Sequence, residues 1–433
     1  MINKFRFFFN QHEKQIYIAY VLVFFLSIAF TFFYRRGIEF TRYGLIALSA
    51  IIFFSKPKFL KNLFNNYSFW TLFCFISIAT ISLLYNNASL SKIDDAINWT
   101  LLYIFGFIVF HILKTNIFLI IYAIPIILFS CQIIYPSFTG ELIGNLNFLN
   151  GKRLDLFFGG KPIHLGIVAG ISTFTAFYIV LKSNINYIKI IYSILTFFSF
   201  IVLLSTGTRT SFIGTTITIF IVLFHFFYKK IRPSYLIIAT LSILIILSFF
   251  NSSKNEIRIS SLTDSEKITD AFLQRELIFI IAKDSFLRSP IIGEGFDRFS
   301  EIYQGDVKTH IHKKNAREKY SYILKSTNNA HNFSLHFLTE TGVLGFLCMN
   351  IFWALIIWNG LKSKNDSAKI ISGVYFLSYI AFQFNMGLYG TQLSTLLFAL
   401  AGLSGAAVQD SKYDGLHPDN ETNFLQHELK AFK

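Results

Sequence analysis

The chain has 433 residues, 53% of them hydrophobic and only 15% charged, with a formal net charge of +15. A soluble domain carries about a quarter charged residues, so this composition excludes an ordinary soluble protein. Uninterrupted apolar runs of about 20 residues, the length that crosses a bilayer, recur from end to end. The composition therefore predicts an all-α polytopic membrane protein.

Taken in chain order, the apolar runs predict about twelve transmembrane helices. The spans are expected at roughly 16–34, 39–55, 67–85, 95–113, 116–135, 164–182, 186–206, 209–228, 233–251, 333–361, 368–386 and 389–408. They divide the chain into an N-terminal transmembrane bundle over 1–250, a large, partly helical loop over 251–332, C-terminal transmembrane helices over 333–408 and a polar tail over 409–433. The bundle would hold about nine of the spans, and the first run lacks a small-residue cleavage site, so we expect it to remain as a span.

Basic residues in the loops predict the orientation. With the N-terminus in the cytoplasm, every predicted inside loop is basic, in agreement with the positive-inside rule. The 409–433 tail is then cytoplasmic and the 251–332 loop lies outside. The first outer loop departs from the rule, because it carries Arg35, Arg36 and Arg42.

The segment STNNAHNFSLHFLTETGVLGF, residues 326–346, brings a His-Asn pair to the start of an apolar helix. A membrane helix gains nothing from His331 in its first turn, so a role beyond packing is expected for this residue or for Glu340. A lone histidine at such a junction is most often a hydrogen-bonded interfacial residue, and that alternative stays open. His336 and Glu340, four residues apart, share a helix face on which they could pair, which favours a structural anchor over a catalytic role for Glu340.

Helical spacing also places His331, Gly342 and Gly345 along one face of this helix. Glycines on such a face permit close helix approach, which is a packing role. Glu340 falls on the opposite side from His331, so the two are not expected to be neighbours on the helix.

A second polar stretch, STGTRTSF at 205–212, places Arg209 at the predicted outer start of a span. Free backbone N–H groups and the positive end of the helix dipole attract phosphate at such a position. With hydroxyls on both sides, the guanidinium predicts an anion-binding site. The alternative is an arginine that contacts lipid headgroup phosphates.

The large loop contains DAFLQRELIFIIAKDSFLRSPIIGEGFDRFS at 270–300. Residues 268–287 are amphipathic but too polar to span, which predicts an interfacial helix that carries Arg275. Its membrane-facing residues are expected to be Ile268, Phe272, Leu273, Ile278, Ile280 and Ile281. The GEG that follows predicts a turn rather than a nucleotide-binding loop, because no strand precedes it.

Several catalytic signatures are absent from the sequence, namely HExxH, a Walker loop, an outward DxD and the G-x-S-x-G of serine hydrolases. His331, at the junction of a loop and a span, and several arginines remain as candidates on the predicted outer face. This set suits displacement of a lipid-linked diphosphate by a hydroxyl, because arginines can neutralise the leaving diphosphate and histidine can act as the base. Glycoside hydrolysis would instead require two carboxylates.

Three motifs, in order, resemble the bacterial O-antigen ligase family, which includes related polymerases and protein O-oligosaccharyltransferases. HNFSLHFLTETGVLGF resembles the family's His-Asn…Leu…Glu-x-Gly-x-x-Gly signature, and STGTRTSF resembles its Ser/Thr-x-Ser/Thr-Arg turn. RELIFIIAKDSFLRSPIIGEGFDRF resembles its Arg…Pro-hydrophobic-x-Gly-x-Gly…Phe segment. The resemblance covers roughly residues 200 to 346, whereas the N-terminal spans match only in number and hydropathy.

The resemblance implies a GT-C-like, inverting glycosyltransferase of the bacterial inner membrane that needs no nucleotide, metal or other cofactor. It would transfer O-polysaccharide from undecaprenyl diphosphate to a sugar hydroxyl of lipid A–core on the periplasmic face. His331 would activate or orient the acceptor hydroxyl, while Arg209 and Arg275 would hold the diphosphate. Further candidates for contact with substrate or lipid phosphates are Arg35, Arg36, Arg153, Lys161, Arg288 and Asn332. Membrane lipids are the remaining expected partner, and no nucleic acid is expected.

Other functions stay open at this point. An O-antigen polymerase would use the same donor with a second lipid-linked glycan as acceptor. A transporter of lipid-linked sugar would place its polar residues along a path through the bilayer, and no paired, inverted halves are visible in the sequence. A non-enzymatic scaffold would leave the ordered set of Arg209, Arg275 and His331 unexplained.

Overall fold

The computed structural model contains α-helices and short connections, with no β-strand among the residues that it describes. Those residues are 2–33, 35–113, 123–128, 162–206, 208–227, 265–313, 330–383 and 391–413. The all-helical prediction is therefore confirmed for this part of the chain.

The principal helices are numbered here in chain order. The N-terminal helices are α1 (Ile2–Phe33), α2 (Arg35–Ser55), α3 (Pro57–Phe64), α4 (Tyr67–Tyr85) and α5 (Asp94–Leu113), the last preceded by a 3₁₀ turn at Leu90–Ile93. The middle helices are α6 (Pro162–Lys182), α7 (Asn186–Ser205), α8 (Arg209–Phe227), α9 (Ser265–Arg288) and α10 (Phe299–Lys313). The C-terminal helices are α11 (Phe333–Lys362), α12 (Asp366–Phe382) and α13 (Thr391–Tyr413).

Several of these helices can cross a membrane. Within the described residues, five spans are long and apolar enough, formed by α4, by α5 with its 3₁₀ turn, and by α6, α7 and α11. The chain is thus a polytopic membrane protein. The predicted spans at 116–135 and 233–251 fall mainly outside the described residues, and those at 209–228 and 389–408 correspond to shorter apolar helices. The total of about twelve therefore stays a prediction.

The predicted span at 39–55 continues into a second helix at a sharp angle. Helices α2 and α3 bend by 101° at Lys56, which has an extended backbone with φ −128°. Pro57 follows as the first residue of α3, a position where its missing N–H is not needed. The proline explains why the first helix stops where it does, since a residue before proline disfavours the helical conformation.

Helices α6 and α12 run antiparallel, and their contacts define two ends of the bundle. Asp366, the first residue of α12, pairs with Lys182 at the end of α6, with 3.1 Å between Oδ1 and Nζ. Gly170, which precedes Lys182 on α6, faces the side chain of Leu377, which follows Asp366 on α12. Helix α12 then ends at its C-cap residue, Gln383, near the start of α6. These are called the Asp366 end and the Gln383 end below.

Helix α8 joins this pair and begins at the Gln383 end. Thr208, which precedes the helix, packs against Gly166 near the start of α6. Gly214, one and a half turns into α8, lies against the carbonyl of Leu377. Arg209, the first residue of α8, is therefore exposed at the Gln383 end.

Helices α9 and α10 form a small packed unit outside the main bundle. Its apolar cluster includes Leu277, Ile278, Ile281, Ala282, Phe299, Ile302, Tyr303, Val307 and Ala330. The prediction that Ile278 and Ile281 face the membrane is wrong, because both side chains are buried in this cluster. Among the described side chains of this region, the exposed apolar ones are Phe279, Leu287 and Ile291. The side chains of Ile268, Phe272 and Leu273 lie outside the described set.

The connection between α9 and α10 is anchored in the main core by Phe296. Its ring centroid lies 5.7 Å from that of Phe75 on α4 and 5.7 Å from that of Trp99 on α5, both edge-to-face. Phe296 is fully buried there. The aromatic residue that follows the GEG turn thus attaches the α9–α10 unit to the transmembrane helices.

Candidate functional site

Helix α11 is interrupted at Gly342, which has φ 62° and ψ −167°. The loop between α9 and α10 fills the interruption. Val343 N donates to Pro290 O at 2.9 Å, and Leu344 N donates to Ile291 O at 3.2 Å. These two N–H groups would bond within the helix if α11 were continuous.

The carbonyls on the other side of the break are satisfied by the same loop. Glu294 N donates to Thr339 O and Gly295 N donates to Glu340 O, both at 3.0 Å. The loop therefore replaces both halves of the two helical hydrogen bonds lost at the break. Such replacement is required here because Thr339 and Glu340 are buried, and an unsatisfied buried backbone group costs several kcal/mol.

Two glycines permit this close approach. Gly342 and Gly293 both have positive φ, 62° and 70°. A Cβ on Gly342 would overlap the carbonyl of Ile291, and a Cβ on Gly293 would overlap the carbonyl of Glu340. Gly342 was expected to permit close helix approach as part of one helical face. That prediction is wrong, because Gly342 is the point at which α11 opens to admit a loop.

The Glu340 carboxylate is buried beneath the start of α10. Its Oε2 accepts from Asp297 N at 3.0 Å, and its Oε1 accepts from Phe299 N at 2.9 Å. A carboxylate at a helix N-terminus satisfies free N–H groups and interacts favourably with the helix dipole. His336 Nε2 lies 3.3 Å from Glu340 Oε2 across one turn of α11. Glu340 thus contacts the predicted partner His336 and, in addition, the backbone of the loop before α10.

His331 lies in a tight turn just before α11. Its φ is 50°, in the left-handed region that non-glycine residues adopt with strain. Helix α11 has Asn332 as its N-cap and begins at Phe333. The expectation that His331 belongs to the first helical turn and shares a face with Gly342 is therefore wrong, because neither residue has a helical backbone.

Asn332 anchors the His331 turn to α12. Its Oδ1 accepts from Leu335 N at 2.8 Å, and its Nδ2 donates to Gln383 O at 2.6 Å. Ser334 adds a hydrogen bond of 2.9 Å to the Gln383 side chain. These contacts give Asn332 a structural part, and they place the His331 turn at the Gln383 end, where α8 begins with Arg209.

Arg275 lies on α9, which runs in the same direction as the first half of α11. Thr339 Oγ1 donates to Ala282 O at 3.3 Å, and the chain beyond α9 bonds further along α11 at Val343. Arg275 precedes Ala282 by about two helical turns, as His331 precedes Thr339. The register therefore brings the exposed Arg275 toward the same end of the helix pair as His331.

Arg288 has partners within the protein. Its guanidinium pairs with Glu294 and, at 2.6 Å, with Oδ2 of Asp306. Hydrogen bonding to Glu294 is the main cause that raises the pKa of Arg288 above its usual value, and Asp306 adds to it. Two carboxylates thus neutralise a residue that was expected to bind lipid phosphate. Arg153 and Lys161 lie outside the described residues, and of Arg35 and Arg36 only the helical backbone is described.

An acidic group near Glu340 was not predicted. Asp297, in the loop after Phe296, has φ 54°, and its carboxylate interacts electrostatically with Glu340 and Asp95. Burial, followed by repulsion from Glu340 and Asp95, raises the pKa of Asp297 to about 7. Lys92 offsets part of this repulsion and donates to Asp297 O at 3.1 Å.

Arg42 belongs to the same group through its interaction with Asp95. Arg42 lies on α2 rather than in the first outer loop to which the sequence assigned it. Its departure from the positive-inside trend was the sequence signal that could have indicated a structural partner. Within the described ranges, no group of three or more His, Cys, Asp or Glu side chains has the arrangement of a metal site.

Comparison with protein families identifies the segment that builds this site. Residues 194–349 match the model of the family described as O-Antigen ligase. The likeness to O-antigen ligases belongs to this segment of the chain. The segment contains Arg209, Arg275, the 290–295 loop and His331, and the resemblance inferred from the three motifs is confirmed. A search of curated proteins gave no match.

The O-antigen ligase domain indicates a ligase or polymerase type of function. It begins in α7 and ends shortly after the break in α11, so it includes the α9–α10 unit and the helix that this unit interrupts. The break in α11 therefore lies inside the matched segment.

Proposed function

We propose that this O-antigen ligase domain protein transfers an O-polysaccharide from undecaprenyl diphosphate to a sugar hydroxyl of lipid A–core. The reaction would occur at the periplasmic face of the bacterial inner membrane, with the 251–332 segment outside. The proposal includes a GT-C-like fold of about twelve spans. Its closest alternative is an O-antigen polymerase, which shares the donor and the chemistry.

In the proposed reaction, His331 accepts the proton of the acceptor hydroxyl as its oxygen attacks the anomeric carbon of the donor sugar. The bond between that carbon and the diphosphate oxygen breaks, and undecaprenyl diphosphate leaves. A single displacement inverts the configuration at the anomeric carbon. A histidine with a pKa near neutrality is suited to the first role. Arg209 and Arg275 would stabilise the charge that develops on the diphosphate.

The observation that carries this proposal is the convergence of separate chain segments at the Gln383 end. Arg209 begins α8 there, and the His331 turn is hydrogen-bonded to Gln383 through Asn332. Arg275 approaches from α9, whose register follows that of α11. One base and two arginines near one membrane surface are the groups that a diphosphate displacement requires.

Replacement of His331 by alanine tests the proposed base. Loss of a general base costs about 100- to 10,000-fold in rate, so His331→Ala should abolish measurable transfer in proteoliposomes supplied with undecaprenyl-diphosphate-linked O-polysaccharide and lipid A–core. His12→Ala is the matched control, since His12 bonds to Gln15 on the exposed surface of α1. Transfer by folded His331→Ala at a rate near that of the unchanged protein would disprove the assignment.

Deletion of the gene separates ligase from polymerase. Loss of a ligase should leave long O-polysaccharide on the lipid carrier and core without repeats, whereas loss of a polymerase should leave core with a single repeat. Electrophoresis of lipopolysaccharide distinguishes the two patterns. The single-repeat pattern would replace the ligase assignment by the polymerase assignment.

A further inference from the structure

The peptide that precedes His331 is held by a buried histidine. Ala330 is 1% exposed, and its N–H donates to His336 Nδ1 at 3.4 Å. A buried backbone N–H requires an acceptor. His336 supplies that acceptor from the first turn of α11, so the imidazole connects the helix to the backbone of the His331 turn.

The same imidazole is connected to Glu340. Because Nδ1 accepts, the neutral ring carries its proton on Nε2, which lies 3.3 Å from Glu340 Oε2. This is an electrostatic contact rather than a well-aligned hydrogen bond. Glu340 is itself held by the N–H groups of Asp297 and Phe299. A series of buried contacts thus runs from the start of α10 through Glu340 and His336 to Ala330.

The His331 turn needs external support. A non-glycine residue in the left-handed region is strained and persists only where neighbouring contacts stabilise it. Asn332 provides such contacts after His331, through Gln383 and Leu335. His336 provides the contact before it, at Ala330.

We infer that His336, oriented by Glu340, is a positioning residue that holds the backbone of the His331 turn in its reactive geometry. The inference rests on the proposed function of His331. His336 is 1% exposed, so it acts through the backbone rather than on substrate. Displacement of a reacting group by about 1 Å can lower a rate about 100-fold, which is enough to make this contact measurable.

Two substitutions of His336 distinguish the roles of its two ring nitrogens. Asparagine places an acceptor near the position of Nδ1 and retains the contact with Ala330, whereas glutamine places its amide near Nε2 and retains the contact with Glu340. We expect His336→Gln to lower kcat about 10- to 100-fold with little change in KM for the lipid-linked donor. His336→Asn should retain kcat within about threefold, because the Ala330 contact remains.

A backbone substitution tests the same contact without changing a side chain. Replacement of Ala330 by lactic acid through nonsense suppression removes the N–H group that donates to His336. It should lower kcat as His336→Gln does, in full-length protein that remains folded by size-exclusion chromatography. The decrease in kcat at low pH that is assigned to protonation of His331 should remain in each variant, because His336 does not itself exchange the substrate proton.

Three outcomes would overturn the inference. One is a kcat of His336→Gln equal to that of the unchanged protein. Another is an equal loss of kcat in the Asn and Gln variants, in proportion to the decrease in their thermal unfolding temperatures. The third is loss of the pH limb in His336→Asn, which would make His336 the base. The failure of the proposed function is distinguishable, since in that case His331→Ala itself retains transfer.

Discussion

Arg275 and Arg288 lie on the same helix, α9, but their environments differ. Arg288 is paired with Glu294 and Asp306 at the C-terminal end, and Arg275 is exposed at the end toward His331. A guanidinium that two carboxylates already neutralise has little charge left for a phosphate. The distinction between a structural arginine and a donor-binding arginine therefore depends on local partners rather than on residue type.

This difference predicts which arginine affects donor binding. Arg275→Lys and Arg209→Lys should each weaken affinity for undecaprenyl-diphosphate-linked glycan by about tenfold, because an ammonium cannot bind diphosphate in two places at once. Arg288→Lys is the matched control on the same helix and should leave the dissociation constant unchanged. Binding of donor to detergent-solubilised protein measures the effect. If all three variants bind the donor as tightly as the unchanged protein, Arg209 and Arg275 are not part of the proposed site.

Asp297 predicts a pH dependence of stability. Its folded pKa is raised from the ordinary value of 3.8 to about 7, so the folded protein binds a proton that the unfolded chain has released. Stability is therefore lost as the pH rises from about 4 to about 7, and this contribution stays absent above that range. The side chain keeps an exposed surface, so the effect should be modest.

Asp297→Asn tests this dependence, and asparagine tolerates the left-handed backbone at this position well. The variant should unfold at a higher temperature than the unchanged protein at about pH 7.5 and should lose the stability change across the lower range. Asp306→Asn is the control with the opposite sign, because its carboxylate pairs favourably with Arg288. A parallel pH profile in the Asn variant and the unchanged protein would contradict the assignment.

The interrupted helix α11 and the 290–295 loop form one hydrogen-bonded unit. Four backbone hydrogen bonds join them, and each replaces part of the helical ladder lost at Gly342. Ser82 of α4 adds a hydrogen bond of 2.9 Å to Glu340 O, and Asn86 adds one of 3.0 Å to Gly293 O. The unit therefore attaches the α9–α10 segment, which carries Arg275, to the helix that follows His331.

Gly342→Ala should disrupt this unit. The new Cβ would overlap the Ile291 carbonyl, and the left-handed backbone adds strain of about 1 to 3 kcal/mol. Lower thermal stability in detergent and faster proteolysis between α9 and α10 are the expected results. Gly305→Ala is the matched control, because a Cβ there meets nothing within 4 Å and alanine favours the helix. Equal stability of the two variants would show that the close approach is not needed.

The charged residues and the direction of the helices both distinguish the Asp366 end of the bundle from the Gln383 end. Lys182 at the end of α6 and Lys369 in the first turn of α12 border loops predicted to be cytoplasmic, and they meet at Asp366, at 3.1 Å and 3.6 Å. The Gln383 end holds Arg209 and the His331 turn. Helix α12 runs antiparallel to both α6 and α8, so the start of α12 and the starts of α6 and α8 lie at opposite ends.

Cysteine labelling tests the orientation of these ends. In a background with Cys74, Cys131 and Cys348 replaced by serine, Gln304→Cys on α10 should react with a membrane-impermeant maleimide in intact spheroplasts. Lys364→Cys, between α11 and α12, should react only after permeabilisation. Both positions are exposed, so accessibility to solvent does not distinguish them. The reversed pattern would place the proposed site on the cytoplasmic side.

The sequence alone predicted the membrane class, most of the described helix positions and the resemblance to O-antigen ligases. Apolar length and periodicity are local properties, and the three motifs are short enough to recognise without coordinates. The pairing of His336 with Glu340 was also accessible, because residues four apart on a helix are neighbours whatever surrounds them.

Only the tertiary structure decided the break at Gly342, the partners of Arg288 and the buried face of α9. Each depends on a segment distant in the chain. A helical wheel assumes an unbroken helix and therefore places His331, Gly342 and Gly345 on one face. It contains no information about a distant loop that replaces the helical hydrogen bonds at Gly342. Hydrophobic periodicity, likewise, gives the apolar side of α9 but cannot distinguish lipid from the side chains of α10, since both bury apolar surface equally well.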